Sequence, residues 1–338
     1  MSSTKVPADQ SQPATARKSG HETVLLQIER FGLLIAWATI IALFGTIAPQ
    51  TFLSWANFSS MFSSQAVLVI VTLALIIPLT AGDLDLSVAQ ILTLSSMVIA
   101  VLNVDHHWPI LLSIGAALVI GVIVGLLNAF FVLYFRIHSL IVTLGTGTFL
   151  HGITLWISNS RTISGVDDSL VNAVIGNILF GISSAFYYAI ILALLLVYVL
   201  GFTSLGRKAL FVGRGREVAR LSGVPVDRVR LICLISSGLV GAFAGVVYAG
   251  ISGAADPNSG TTLILPAFAA AYLGATSITP GRFNPIGSVI AVYFLVTGIT
   301  GLSIIGINTF VQDLFYGGAL VIAVALSQLV RGRQESLA

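Results

Sequence analysis

The run LGRKALFVGRGREVARLSGVPVDRVRL, residues 205–231, places seven basic residues between two stretches of membrane-grade hydrocarbon. Short loops rich in Lys and Arg stay on the cytoplasmic side during insertion, so this segment predicts an orientation before any motif is considered. Within it, Gly215 precedes a helical run in which Val218 and Leu221 share one face while Arg216 and Arg220 occupy another. Gly223 and Pro225 end that run, and Asp227 is placed to N-cap the next helix. A short amphipathic helix held against a membrane with its apolar stripe outward suits the groove of another protein.

The sequence on either side supports a membrane reading. The chain has 338 residues, of which 56% are hydrophobic and only 9% charged, against about 25% charged in soluble domains. Its mean hydropathy is +1.00 and its pI about 9.2. That basic excess sits in loops, where topology accounts for it, so no nucleic-acid partner is expected. Cys233 is the only cysteine and lies in an apolar run, which leaves no disulfide framework and no thiol cluster for a metal.

Residues 1–28 are polar, lack a signal-peptide core and cleavage site, and read as a disordered cytoplasmic leader. Ten apolar segments follow, near 31–48, 66–79, 87–102, 109–134, 140–158, 185–202, 231–252, 264–276, 286–305 and 311–330. The predicted architecture is an all-α polytopic membrane domain over 29–330, with a cytoplasmic loop at 203–230 and a cytoplasmic tail at 331–338. With the N-terminus inside and one crossing per segment, every basic residue except Arg161 falls on the cytoplasmic side. Segments 66–79 and 264–276 are short of the ~20 residues a straight span needs, which points to broken or re-entrant helices. Gly121/Gly125 and Gly241/Gly245 allow close helix approach, read here as packing within the chain.

Thr80-Ala-Gly-Asp-Leu-Asp-Leu-Ser87 joins the second and third segments with two carboxylates and no basic residue. Either Gly82 breaks a helix and Asp85 or Ser87 caps the next with the carboxylates in water, or Asp83, Asp85 and Ser87 lie on a polar pathway between broken helices. Thr143, Thr146 and Thr148 with His151 form a second polar patch, whose groups either bond their own helix or line a cavity. His151 is open to two readings, a hydrogen-bonded neutral imidazole or a proton relay. Asp105, His106 and His107 are too close in sequence to converge on one ion, so no metal site is expected. Gly201–Lys208 has Walker-like glycine spacing but lacks the phosphate lysine and the following hydroxyl. No catalytic residues are expected, and energy must come from a partner.

Four ordered motifs resemble the membrane permease subunits of bacterial ATP-binding-cassette importers for ribose and related sugars. GDLDLSV at 82–88 is similar to that family's Gly-Gly-Ile-Asp-Leu-Ser-Val element, and EVARLSG at 217–223 to its Glu-Ala-Ala-x-Leu-Ser-Gly loop. DPNSG at 256–260 resembles its Gln-Pro-x-x-Gly turn, and 273–287, with Gly274, Thr276, Ser277, Gly281 and Arg282, its Leu-Gly-Gly-Thr-Ser stretch. The chain departs from the pattern at Asp83, usually Gly, at His151, where Arg is common, and at Pro280, Phe283 and Pro285.

The resemblance implies a multi-pass protein of the bacterial cytoplasmic membrane with both termini cytoplasmic. Its implied partners are a cytoplasmic ATPase subunit that binds the ATP, a periplasmic or lipid-anchored solute-binding protein, and a second permease copy or paralogue. The permease itself would hold no cofactor. Arg216, Glu217, Ala219, Arg220, Leu221, Ser222 and Gly223 would dock into the ATPase. Almost no Lys or Arg lies within the spans, so a neutral sugar or polyol suits the polar groups better than an anion. Asp85 is expected to brace the broken helix and Asp83 to tune which solute passes. Branched-chain amino acids are the alternative cargo, and a self-sufficient intramembrane enzyme or receptor is the alternative from another class.

Overall fold

The computed structural model describes residues 20–308 and 310–336, with side chains described from residue 30 to 326. Among the described residues, fifteen α-helices carry the fold. They are α1 (Gly20–Ile47), α2 (Pro49–Phe52), α3 (Trp55–Ser64), α4 (Ala66–Thr80), α5 (Val88–Ala100), α6 (Ile110–Leu133), α7 (Ser139–Ile157), α8 (Asp168–Ile175), α9 (Ser184–Phe202), α10 (Ser204–Arg214), α11 (Arg216–Leu221), α12 (Val226–Ser252), α13 (Thr261–Gly274), α14 (Pro285–Ile304) and α15 (Phe310–Ser336). Two small antiparallel pairs, β1 (Ile163–Ser164) with β4 (Ala254–Ala255) and β2 (Asn177–Leu179) with β3 (Ile182–Ser183), close the loops at the end opposite α11.

Among the described residues, seven helical stretches are long and apolar enough to cross a membrane: 30–47, 88–105, 110–133, 139–157, 184–202, 226–252 and 285–304. The second of these continues α5 through a π-helical turn at Val101–Asp105. The ten expected apolar segments are all helical, but not all are single spans. Segment 66–79 is α4, the longer half of a pair with α3 bent by 43°. Segment 264–276 falls mostly in the 14-residue α13, which contains Pro266. The last apolar segment has 310–326 as its apolar part, again short. Helix α1 begins at Gly20, inside the stretch expected as a leader. Residues 1–19 and the end of the expected tail, 337–338, lie outside the described residues, as do the side chains of Arg331 and Arg333.

Every residue of α4 is buried, and its sequence AVLVIVTLALIIPLT is apolar all round, as a helix enclosed by others must be. It packs against α12, α13, α9 and α14. Helices α6 and α12 lie close because glycines line their contact: a Cβ at Gly125 would stand 2.7 Å from Leu234 O and the Ile235 Cα, and Gly121 is equally pressed on Gly238 and Ala242. Small residues at that seam let two backbones meet, and the Gly-xxx-Gly pairs serve packing within the chain.

Pro78 sits two residues before the end of α4, and Gly82, at φ +78, turns the chain out of the helix. Residues 83–87 then run without helix into α5, beside the start of α12. Gly213 of α10 brings the basic segment against this break, since it lies on the Thr80–Ala81 backbone where a side chain would collide.

Candidate functional site

The backbone between α4 and α5 has lost its helical hydrogen bonds, and buried N–H and C=O groups left unpaired are costly. Two hydroxyls of α7, one turn apart, replace them. Ser139 Oγ accepts the Leu84 N–H at 3.1 Å and Thr143 Oγ1 accepts the Leu86 N–H at 3.1 Å, while Thr143 also lies 3.3 Å from Leu84 O.

Asp83 is 1% exposed and accepts a bidentate pair from Arg230, Nε to Oδ2 at 2.7 Å and Nη2 to Oδ1 at 2.7 Å. Arg216, the first residue of α11, donates Nη2 to the same Oδ1 at 2.9 Å and to Gly82 O at 2.7 Å. Charge-assisted, fork-shaped contacts of this kind are the strong hydrogen bonds of proteins. One carboxylate therefore ties the broken helix, α11 and the start of α12 together. In this structure the oxygens of Asp83 are taken up by these two arginines, and the basic loop meets the 80–87 segment through Arg216.

Asp85 is fully buried, and its bonds are neutral. Oδ1 accepts the Ser87 N–H at 3.1 Å and Ser87 Oγ at 2.6 Å, and Oδ2 accepts Ser237 Oγ at 2.8 Å. Asn128 Nδ2 reaches Ser87 Oγ at 2.8 Å from α6. Asp85 thus braces the entry to α5, with Ser87 at the cap position accepting no backbone N–H itself.

Helix α11 has the form expected of it. Ala219 is buried, Val218 and Leu221 are exposed (Leu221 at 89%), and Glu217, Arg220 and Ser222 also face outward. Its end is a Schellman turn, with Val224 N–H on Ala219 O and Gly223 N–H on Arg220 O, each at 3.0 Å, and Gly223 at φ +80. The cap of α12 differs from expectation. Pro225 holds the N-cap position, and Asp227 lies in the first turn, 3.5 Å from Arg220. An acid there still complements the helix dipole.

The α7 residues separate into two groups. Thr143 is buried in the brace just described. Thr148 is exposed with its hydroxyl on Leu144 O, and Thr146 and His151 are half-buried, His151 Nε2 having no partner among the described residues. Gln90 of α5 likewise keeps an unpartnered Oε1, while its Nε2 reaches Thr261 Oγ1 at 3.4 Å. Along α7 an open groove runs past Leu144, Gly145, Thr148, Gly152 and Trp156.

Arg230, Ser237, Asn128 and Ser139 escaped the sequence reading, although a signal exists. Val226, Arg230, Cys233 and Ser237 recur at helical spacing on one stripe of α12, so Arg230 belongs to the buried face. Asn128 extends the Gly121/Gly125 stripe by one turn in the same way.

A family profile described as branched-chain amino acid transport system / permease component matches residues 57–324. The chain is 32% identical to the D-allose transport system permease protein AlsC of Escherichia coli, covering 89% of this chain and 92% of that one. It is 29% identical to the L-arabinose ABC transporter permease protein AraH of Azospirillum brasilense, over 98% and 96% of the two chains. It is 26% identical to the xylose transport system permease protein XylH of Escherichia coli, over 95% and 96%. No solved structure matches it.

Proposed function

The chain belongs to the branched-chain amino acid transport system / permease component family, and from that premise we propose that it is the permease subunit of an ATP-binding-cassette importer for a neutral sugar. The observation that carries the reading is the end-to-end similarity to permeases named for allose, arabinose and xylose. The residues agree with such a cargo. Arg230 is the one buried Lys or Arg among the described residues, and Asp83 pairs with it, so its charge is not free for an anionic solute.

In this reading the exposed Val218–Leu221 edge of α11, with Glu217 and Arg220 beside it, enters the ATPase, and residues 216–223 carry its movement. Arg216 hands that movement to Asp83 and the broken helix. Thr146, Thr148, His151 and Gln90 are the polar groups on the α5/α7 side that solute meets, while Asp85, Ser87 and Thr143 hold the wall. The subunit performs no chemistry of its own. It sits in the bacterial cytoplasmic membrane with both termini and α11 on the ATP side, paired with a second copy, and receives solute from a binding protein.

The test is co-expression with the neighbouring ATPase and binding-protein genes. Stoichiometric copurification of the ATPase, and hydrolysis stimulated by binding protein loaded with a neutral sugar, are expected. Stimulation by leucine or isoleucine and by no sugar would replace the cargo with branched-chain amino acids. Absence of any associated ATPase would overturn the transporter reading.

A further inference from the structure

Beside α11 a cleft of about 220 Å³ is lined by Arg136, His138, Arg216, Arg220, Arg230 and Asp227, with Val132, Leu133 and Ile137 as its apolar side. Four guanidiniums face two carboxylates, Asp83 beneath and Asp227 at the rim, so the cleft holds surplus positive charge. The surplus is concentrated at two residues. Arg136 makes no ion pair among the described residues, and Arg220 holds Asp227 only at 3.5 Å, with both side chains more than half exposed, a pair of small energetic value.

The loop is shaped to bring these donors together. Arg136 adopts φ +57, a left-handed conformation that costs a non-glycine residue about 1–2 kcal/mol. The resulting turn sets Arg136 and His138 on the same cleft. His138 Nδ1 accepts the Leu140 N–H at 3.3 Å, so in the neutral ring the proton is on Nε2, leaving a donor. Several donors around a small space, two of them held in place by Asp83, match an oxyanion that offers several acceptor oxygens.

The outer side of the cleft is continuous with an aromatic surface. Phe130, Phe131, Tyr134 and Phe135 are exposed at the end of α6, Phe130 stacked on Tyr134 at 5.3 Å, and Ile137 is exposed beside them. A tyrosine at the end of a spanning helix marks the level of lipid head groups, and Tyr134 holds that place here, with the Phe rings on its apolar side. A basic pocket at that depth is suited to an acidic head group.

We propose that this cleft is a binding site for a phosphate-bearing anion, which the adjoining aromatic surface favours as the head group of an acidic phospholipid. The site lies against Arg216 and Arg220, so its occupancy bears on the same helix that the proposed function assigns to the ATPase. Its test does not depend on that assignment.

The purified full-length chain in phosphatidylcholine nanodiscs is titrated with phosphatidylglycerol, and separately with sn-glycerol 3-phosphate without acidic lipid. Saturable binding that weakens with added salt is expected. Arg136→Gln and Arg220→Gln should each weaken it about tenfold. Arg136→Gln removes no described ion pair, so its melting temperature serves as the folding control. Binding of the lipid alone places the anion in the membrane, and equal binding of the soluble phosphate makes the source aqueous. Affinities unchanged in both variants would overturn the site. So would protection of Arg136 from modification by an added ATPase subunit and by neither lipid nor phosphate, because the cleft would then belong to an acidic protein surface.

Discussion

Replacing Asp83 by glycine, the residue usual at this position in the ribose-type permeases, removes the carboxylate that takes three charge-assisted hydrogen bonds from Arg230 and Arg216. Arg230 is only 11% exposed, so its guanidinium would be left in the protein without a counter-ion. Breaking a buried pair from one side costs about 3–5 kcal/mol. Arg216 is 41% exposed and can turn to water, so Arg216→Gln, which keeps the Asp83–Arg230 pair, should cost no more than about 1 kcal/mol. The double variant Asp83→Gly, Arg230→Met removes both buried charges and should recover most of the loss. The measurement is reversible unfolding of the purified permease in mixed micelles, arranged as a double-mutant cycle with a coupling of roughly 2 kcal/mol or more. An Asp83→Gly permease as stable as the parent, changed only in which sugars it carries, would refute the ion-pair argument and return Asp83 to the solute path.

Two further outcomes follow from the same geometry. Gly223→Val has open space around the new side chain but forces a β-branched residue to φ +80, so it should distort the end of α11 by about 1–2 kcal/mol of strain and abolish sugar-stimulated ATP hydrolysis while the protein still inserts. In a Cys233→Ser background, a cysteine at the exposed Ser169 should react with an impermeant maleimide in intact cells and one at the exposed Ser204 only after lysis; labelling at 204 from outside would reverse the orientation.

The spans were legible because a side chain facing lipid must be apolar, and that demand repeats over each helix regardless of its neighbours. The enclosure of α4 was not. An all-round apolar run reads the same whether lipid or protein surrounds it, and only the packing of α9, α12, α13 and α14 around α4 decides between them. The α11 stop was legible since Gly223 acts locally through its own φ. The cap of α12 was misread because Asp227 is a good capping residue by type, whereas the chain enters that helix two residues earlier, at Pro225.

The pairing of Asp83 with Arg230 joins residues far apart in sequence, yet its logic is written in the segment Asp83-Leu84-Asp85-Leu86-Ser87. Burial alternates over the stretch before the turn at 86–87: 83 and 85 are buried while 84 is half-buried. Such alternation is the period of an extended chain, in which residues two apart share a side. The two carboxylates consequently both turn to α12, where Arg230 and Ser237 lie on one stripe two turns apart, about 10.5 Å along the axis. Two extended residues advance about 7 Å, and the long arm of Arg230 covers the difference. Meanwhile the Leu84 and Leu86 N–H groups turn to Ser139 and Thr143 on α7. The break between α4 and α5 is therefore held as a strand would be, by side chains of two helices in place of neighbouring strands. A motion of α11 that pulls on Arg216 acts directly on the carboxylate that anchors the start of this segment.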